Sequence, residues 1–157
     1  TNNALNGDYY VKTGPIFPEA TDYIASNGEE TVKLAQPVDQ SEFVLGLREE
    51  ARREKLPIHV GIHEPGNDRK KVKNTVLWID ERGEIAHRYQ KIHLFDVDIK
   101  DGPVLKEAGK FLPVDVRAIS LLTPNYSSSV ERGNKILPPF DTAVGKVGSA
   151  ICFDVSH

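Results

Sequence analysis

Cys152 is the only cysteine in the 157-residue chain. It stands in "GSAICFDVSH", directly after Ala150-Ile151 and two places before Asp154. A cysteine thiolate can attack a carbonyl carbon if a base removes its proton and a cation or N–H holds the developing oxyanion. A lone cysteine is equally a small hydrophobe at home in a core. Glu19 follows Pro18 where the apolar pair Ile16-Phe17 runs into a loop, so its carboxylate could face a cleft or simply sit in solvent. Lys91 in "RYQKIHLFD" is a charged residue between a strand pattern and an apolar pair, and the ordinary place for a lysine is the surface. Taken one at a time, each of the three has an unremarkable reading.

The histidines offer less. His59 and His63 are four apart, the spacing that puts two ligands on one face of a helix, but they fall in a strand pattern, where four residues span about 13 Å. His87, His93 and His157 have no partner at ligand spacing, and one cysteine is too few for the usual structural zinc site. No metal is expected. The glycines around Gly145 and Gly148 do not make a phosphate loop. A cysteine protease using His93 as base is a competing chemistry, but the sequence lacks the asparagine–histidine context it needs.

The elements that must hold these residues are legible. Apolar Phe43, Val44, Leu47 and Ala51 recur at three- and four-residue steps, which predicts an amphipathic helix over Gln40–Lys55, capped by Asp39 or Ser41 and ended by Pro57. "IHVGIHE" (58–64), "TVLWID" (75–80) and "EIAHRYQ" (84–90) read as strands. A turn-forming connection covers 66–74, and a tight turn lies at Glu81-Arg82-Gly83. Val144–Phe153 reads as a buried strand. Residues 1–15 are a loose polar lead-in, and 110–130 has scattered apolar residues, prolines and serines with no clear period. A helix with strands implies a layered α/β fold.

Composition narrows the function classes. Apolar residues make up 39% and charged residues 27%, ordinary values for a globular chain. The net charge of −3 favours neither nucleic acid nor anionic membrane. No apolar run approaches the roughly 18 residues of a spanning helix, and one cysteine fits a reducing, cytoplasmic setting, with a mitochondrial copy left open. Asn125-Tyr126-Ser127 is a chance sequon in that setting.

Taken together, "FPEA" (17–20), "YQKIHLFDVD" (89–98) and "GSAICFD" (148–154) resemble the three signature segments of the nitrilase superfamily of carbon–nitrogen hydrolases. The stretch "NTVLWIDERGEIAHRYQ" is similar to the paired strands that lead into that family's lysine. The resemblance implies a four-layer α-β-β-α sandwich, of which this chain holds roughly the first half. It implies Glu19 as general base, Lys91 as oxyanion-stabilising cation and Cys152 as nucleophile. Glu107 in "GPVLKEAG" matches a further glutamate that holds the lysine and positions substrate, and the Phe153 N–H would be a second oxyanion donor. "KIHLFDVDI" with "GPVLKE" is closest to the Nit branch. That branch implies hydrolysis of a small carboxamide, deaminated glutathione first and α-ketoglutaramate (an ω-amidase) second. It needs no metal or organic cofactor, and the whole protein would self-associate as a dimer.

Three stretches depart from the family pattern. The strand and helix ahead of the glutamate segment are not recognisable in 1–15, and 110–130 lengthens the Lys91-to-Cys152 spacing by about twenty residues, beyond ordinary loop length. After Asp154 the family continues into the second half of its fold. The chain also contains no methionine. The expectation is one partial domain over 1–157, read either as a translation through introns or as a divergent member with a real insertion. A fold fragment that acts only by association is the non-enzymatic alternative.

Overall fold

The computed structural model describes residues 14–94, 96–98, 104–106 and 129–156. Its centre is an antiparallel sheet in the order β1 (Ile58–Pro65), β2 (Val72–Ile79), β3 (Ile85–Gln90). Because side chains alternate along a strand, the register sorts the sheet into two faces. Val60 opposite Leu77 and Ile58 opposite Ile79 lie on one. Gly61, Val76 and Tyr89 form one row of the other, and His63 pairs with Asn74 in the next. Both faces are covered, so β1 and β2 read as nearly continuous buried runs rather than clean alternations.

Helix α2 (Glu42–Glu54) covers the first face, inside the predicted span. Ser41, not Asp39, is its N-cap, Lys55 closes it in a left-handed conformation, and Pro57 follows. Val44 and Ala51 are buried against Ile58, Val60, Ile62, Leu77 and Ile79, with Phe43 and Leu47 packed alongside. Each fully buried aliphatic of this cluster contributes roughly 1.5–3 kcal/mol. The helix also grips the predicted turn before β3. Arg48 Nε donates to the Gly83 carbonyl at 2.7 Å and Arg52 Nε to that of Arg82 at 3.2 Å. Gly83 has φ +76°, and a Cβ there would stand 2.4 Å from the Arg48 carbonyl oxygen, so no other residue fits well.

Several expectations are corrected. A seven-residue helix, α1 (Gly28–Leu34), precedes α2, and the Asn27/Glu30 pair that caps it is a readable N-terminal signal that the sequence reading passed over. β2 begins at Val72, so the turn ends earlier than 74. The run Val144–Phe153 is not a buried strand. Only β7 (Gly145–Val147) is a strand, paired with β6 (Phe140–Thr142) in a small hairpin that is not hydrogen-bonded to the main sheet, and Ile151 is the run's one buried aliphatic. Pairing that run with three-residue β6 alone satisfies few backbone groups, so it stays short and partly exposed. β4 (Asp96–Asp98) and β5 (Val104–Lys106) form another two-stranded pair. Residues 1–13 and the 110–128 part of the unusual segment lie outside the described residues. Among the described residues no helix is long and apolar enough to cross a membrane.

Candidate active site

Glu19 reaches the second sheet face because the backbone ahead of it is laid along β1. Ile16 bridges His59 in parallel, the Phe17 N–H donates to the His59 carbonyl at 2.8 Å, and the Gly61 N–H donates to Pro18 at 3.2 Å. The chain then folds over Gly61. A Cβ at Gly61 would stand 2.6 Å from the Pro18 oxygen and 2.7 Å from the Glu19 Cα, so the loop reaches this position only over a glycine. Asp22 and Tyr23 pin its far side. The Asp22 carboxylate accepts the His63 N–H and contacts His63 Nδ1, both at 2.9 Å, while the Tyr23 ring lies against the His63 ring and its hydroxyl donates to the Thr31 carbonyl. Burial, and secondarily the Asp22 charge, push the Tyr23 hydroxyl's pKa up.

Lys91 follows the end of β3 and has no exposed surface, so the surface-lysine reading is wrong. Its ammonium donates to Glu19 Oε1 at 3.0 Å. A buried ammonium without a partner costs several kcal/mol, and the carboxylate offsets that cost. Asn74 joins the pair: its Nδ2 donates to the same Glu19 oxygen, and its carbonyl accepts the Lys91 backbone N–H at 2.9 Å. Among the described residues both side-chain donors meet Oε1 and none meets Oε2, and Asn74 Oδ1 is buried without a partner. Glu19 is therefore no solvated loop acid; its side chain is 23% exposed.

Cys152 opens a 3-10 turn (Cys152–Ser156) with φ +49°. That left-handed conformation costs a non-glycine residue about 1 kcal/mol or more and persists only where the surroundings fix it. Its neighbours are the anchors. Ile151 packs with Val76 and Tyr89, with Ile92 alongside, and Asp154 bonds to Tyr89 and His93. Cys152 is an exposed residue, so it is not a core cysteine. The turn is thus attached to residues that bracket Lys91 on both sides. Phe153 lies within it, and Glu107 falls outside the described residues.

Segment 129–133 completes the frame. Ser129 and Glu131 pair with Val72, and the Gly133 N–H donates to the Lys91 carbonyl at 2.8 Å, with no room for a Cβ at Gly133 against the Gln90 carbonyl. His59 takes no part in the cluster. Burial lowers its pKa, and its ring lies edge-on to Trp78. Two clefts among the described residues, of about 470 and 210 Å³, lie away from Glu19, Lys91 and Cys152. The larger is on the helix side by Arg48 and Arg88, the smaller by His59 and Trp78. Sequence reasoning passed over Asn74 and Asp154 as site residues, although both stand inside the segments that carry the resemblance. Gly61 was readable as a glycine interrupting a strand, the usual mark of a close backbone approach.

A carbon-nitrogen hydrolase family model matches residues 16–157. The chain belongs to this family. Among its relatives, the probable hydrolase nit2 of Schizosaccharomyces pombe is 42% identical over 141 residues, 89% of this chain and 44% of that protein. The deaminated glutathione amidase of Rattus norvegicus is 32% identical over 146 residues, 89% of this chain and 38% of that protein. The crystal structure of the Caenorhabditis elegans NitFhit protein superposes with a TM-score of 0.71 at 30% identity, covering 90% of this chain and 30% of that one. The hydrolase fold is therefore that of the nitrilases, and the chain spans less than half the length of these relatives.

Proposed function

We propose that the complete protein is an amidase that hydrolyses a small carboxamide through a cysteine thioester. The observation that carries this reading is the Glu19–Lys91 ion pair, built around a lysine with no exposed surface, on the sheet face to which the Cys152 turn is anchored. The alternative of a fold fragment without chemistry gives no reason to bury a cation there.

In the proposed reaction Cys152 Sγ attacks the amide carbon while Glu19 takes the thiol proton. The carbonyl oxygen becomes negative beside Lys91, where a desolvated cation acts more strongly than in water, with the Phe153 N–H as a second donor. The tetrahedral adduct collapses, the C–N bond breaks, and Glu19 returns the proton to the leaving nitrogen as ammonia. Glu19 then takes a proton from water as the water oxygen attacks the thioester, and the acid leaves as the thiol is restored. The balance is amide plus water to acid plus ammonia, and no step requires a metal or organic cofactor. The relatives named deaminated glutathione amidase support deaminated glutathione as substrate, and Glu107 would hold Lys91 and position it. The proposed setting is the cytoplasm. Self-association of the complete protein is supported by apolar side chains left exposed here, such as Ile24 and Ile136.

The test is ammonia release by the complete protein from deaminated glutathione and, in parallel, from α-ketoglutaramate. Turnover of the first should fall at least about a thousandfold in Cys152→Ala. Preference for the second would assign an ω-amidase, and no turnover of any small amide would leave the fragment reading standing.

A further inference from the structure

Four hydrogen bonds converge on the carboxylate of Asp154, a side chain only 4% exposed. Oδ1 accepts the His93 backbone N–H at 2.7 Å and lies 2.9 Å from His93 Nδ1. Oδ2 accepts the Tyr89 hydroxyl at 2.8 Å and the Ile151 N–H at 3.2 Å. The Asp154 N–H in turn donates to the Ile151 carbonyl at 3.1 Å, so residues 151 and 154 close a ring around Cys152. Tyr89 and His93 stand two residues before and two after Lys91. One carboxylate therefore ties the turn that carries the thiol to both flanks of the lysine. Burial alone would raise the Asp154 pKa, but these donors together hold it below the ordinary carboxylate range.

We infer that Asp154 is a positioning residue: it sets the left-handed Cys152 turn at a fixed place relative to Lys91, through Tyr89 and His93. This rests on the reading of Cys152 as a nucleophile assisted by Lys91. An aspartate suits the role because only an acceptor-only group can take N–H and O–H donors on both oxygens at once. An asparagine would turn an N–H toward the Ile151 N–H. The packing of Tyr89 against Ile151 places the turn roughly without Asp154, and the carboxylate fixes its orientation.

The experiment measures the pH–rate profile for alkylation of Cys152 by iodoacetamide in the complete protein. It compares wild type, Lys91→Met, Asp154→Asn and Tyr89→Phe, each checked for native circular dichroism. A thiol held near a cation reacts as thiolate at lower pH. Lys91→Met should therefore move the profile to higher pH and slow alkylation at neutral pH about tenfold. Asp154→Asn should do the same with Lys91 present, and Tyr89→Phe should do so to a smaller extent. Mere loosening of the turn predicts the opposite, a thiol that reacts as fast or faster. Should Lys91→Met leave the profile where it is, the lysine-assisted nucleophile fails and the inference falls with it. Should Lys91→Met move the profile while Asp154→Asn does not, the inference alone is overturned. If Asp154→Asn does not fold, Tyr89→Phe decides: an unmoved profile overturns the inference.

Discussion

At the scale of single residues, the site turns on how a buried ammonium is made tolerable. Lys91 has no exposed surface, and Glu19 Oε1 receives both its Nζ and Asn74 Nδ2. The two donors fix one carboxylate oxygen, and on the proposed mechanism the other is left to act as the base. Asn74 also accepts the Lys91 backbone N–H, so one residue orients both members of the pair. Asn74→Ala keeps that backbone bond and removes only the side-chain donor. If Glu19 is the base, as proposed, the expected result is a fall in kcat of about ten- to a hundredfold with little change in KM, since the base is misplaced. Steady-state kinetics on the amide substrate checks this; a rise in KM alone would mean that Asn74 serves binding.

At the scale of elements, the site depends on a loop lying directly on a strand. Gly61 is the point of contact, with bonds to Pro18 and Thr21 and no space for a Cβ between the Pro18 oxygen, the Glu19 Cα and the Ala20 nitrogen. All three obstacles are backbone atoms, so relief requires the Glu19 loop itself to move. Gly61→Ala is expected to lower stability by about 1–3 kcal/mol, the usual cost of overpacking, as read from the urea midpoint. Activity should fall further than the folded fraction does, because on the proposed mechanism the displaced loop carries the base. Gly46 is an informative control: a Cβ there meets nothing within 4 Å, and alanine in a helix interior is favoured over glycine.

At the scale of the whole molecule, the described part of the fold centres on a three-stranded sheet covered on both faces, and its pH limits follow from buried acids and phenols. Asp80 is held below its ordinary pKa: burial would raise it, but the N–H groups of Glu84 and Arg82 and the Arg82 guanidinium outweigh that. Asp154 is lowered as well. Their stabilisation is complete above the unfolded carboxylate pKa of about 3.9 and is lost as pH falls through the lower folded values. Burial and the Asp154 hydrogen bond push Tyr89 up to about 12. Its contribution is complete below the unfolded value of about 10 and is lost as pH rises through the folded one. Thermal melts across pH should show both limbs. Asp80→Asn should flatten the acid limb and leave the alkaline one in place.

The sequence by itself determined the family and those local elements that carry a clear period or turn signal. Helix α2 was legible because Phe43, Val44, Leu47 and Ala51 repeat with the helical period, and the turn at Gly83 because glycine closes it. Glu19, Lys91 and Cys152 stood out as candidates because the segments around them resemble the family's signatures. Only the tertiary structure decided that Lys91, 72 residues from Glu19, and Asn74 donate to the same Glu19 oxygen, since such contacts depend on register and on a close approach at Gly61. The run ending at Ile151 read as a strand because its composition is apolar, yet a strand exists only where neighbours pair with it. Here the main sheet packs against the segment without pairing with it, and the segment is held by one buried isoleucine and one carboxylate. Hydrophobic pattern acts along the chain and can be read from it. Pairing and burial act between distant segments, and so they were decided by the fold.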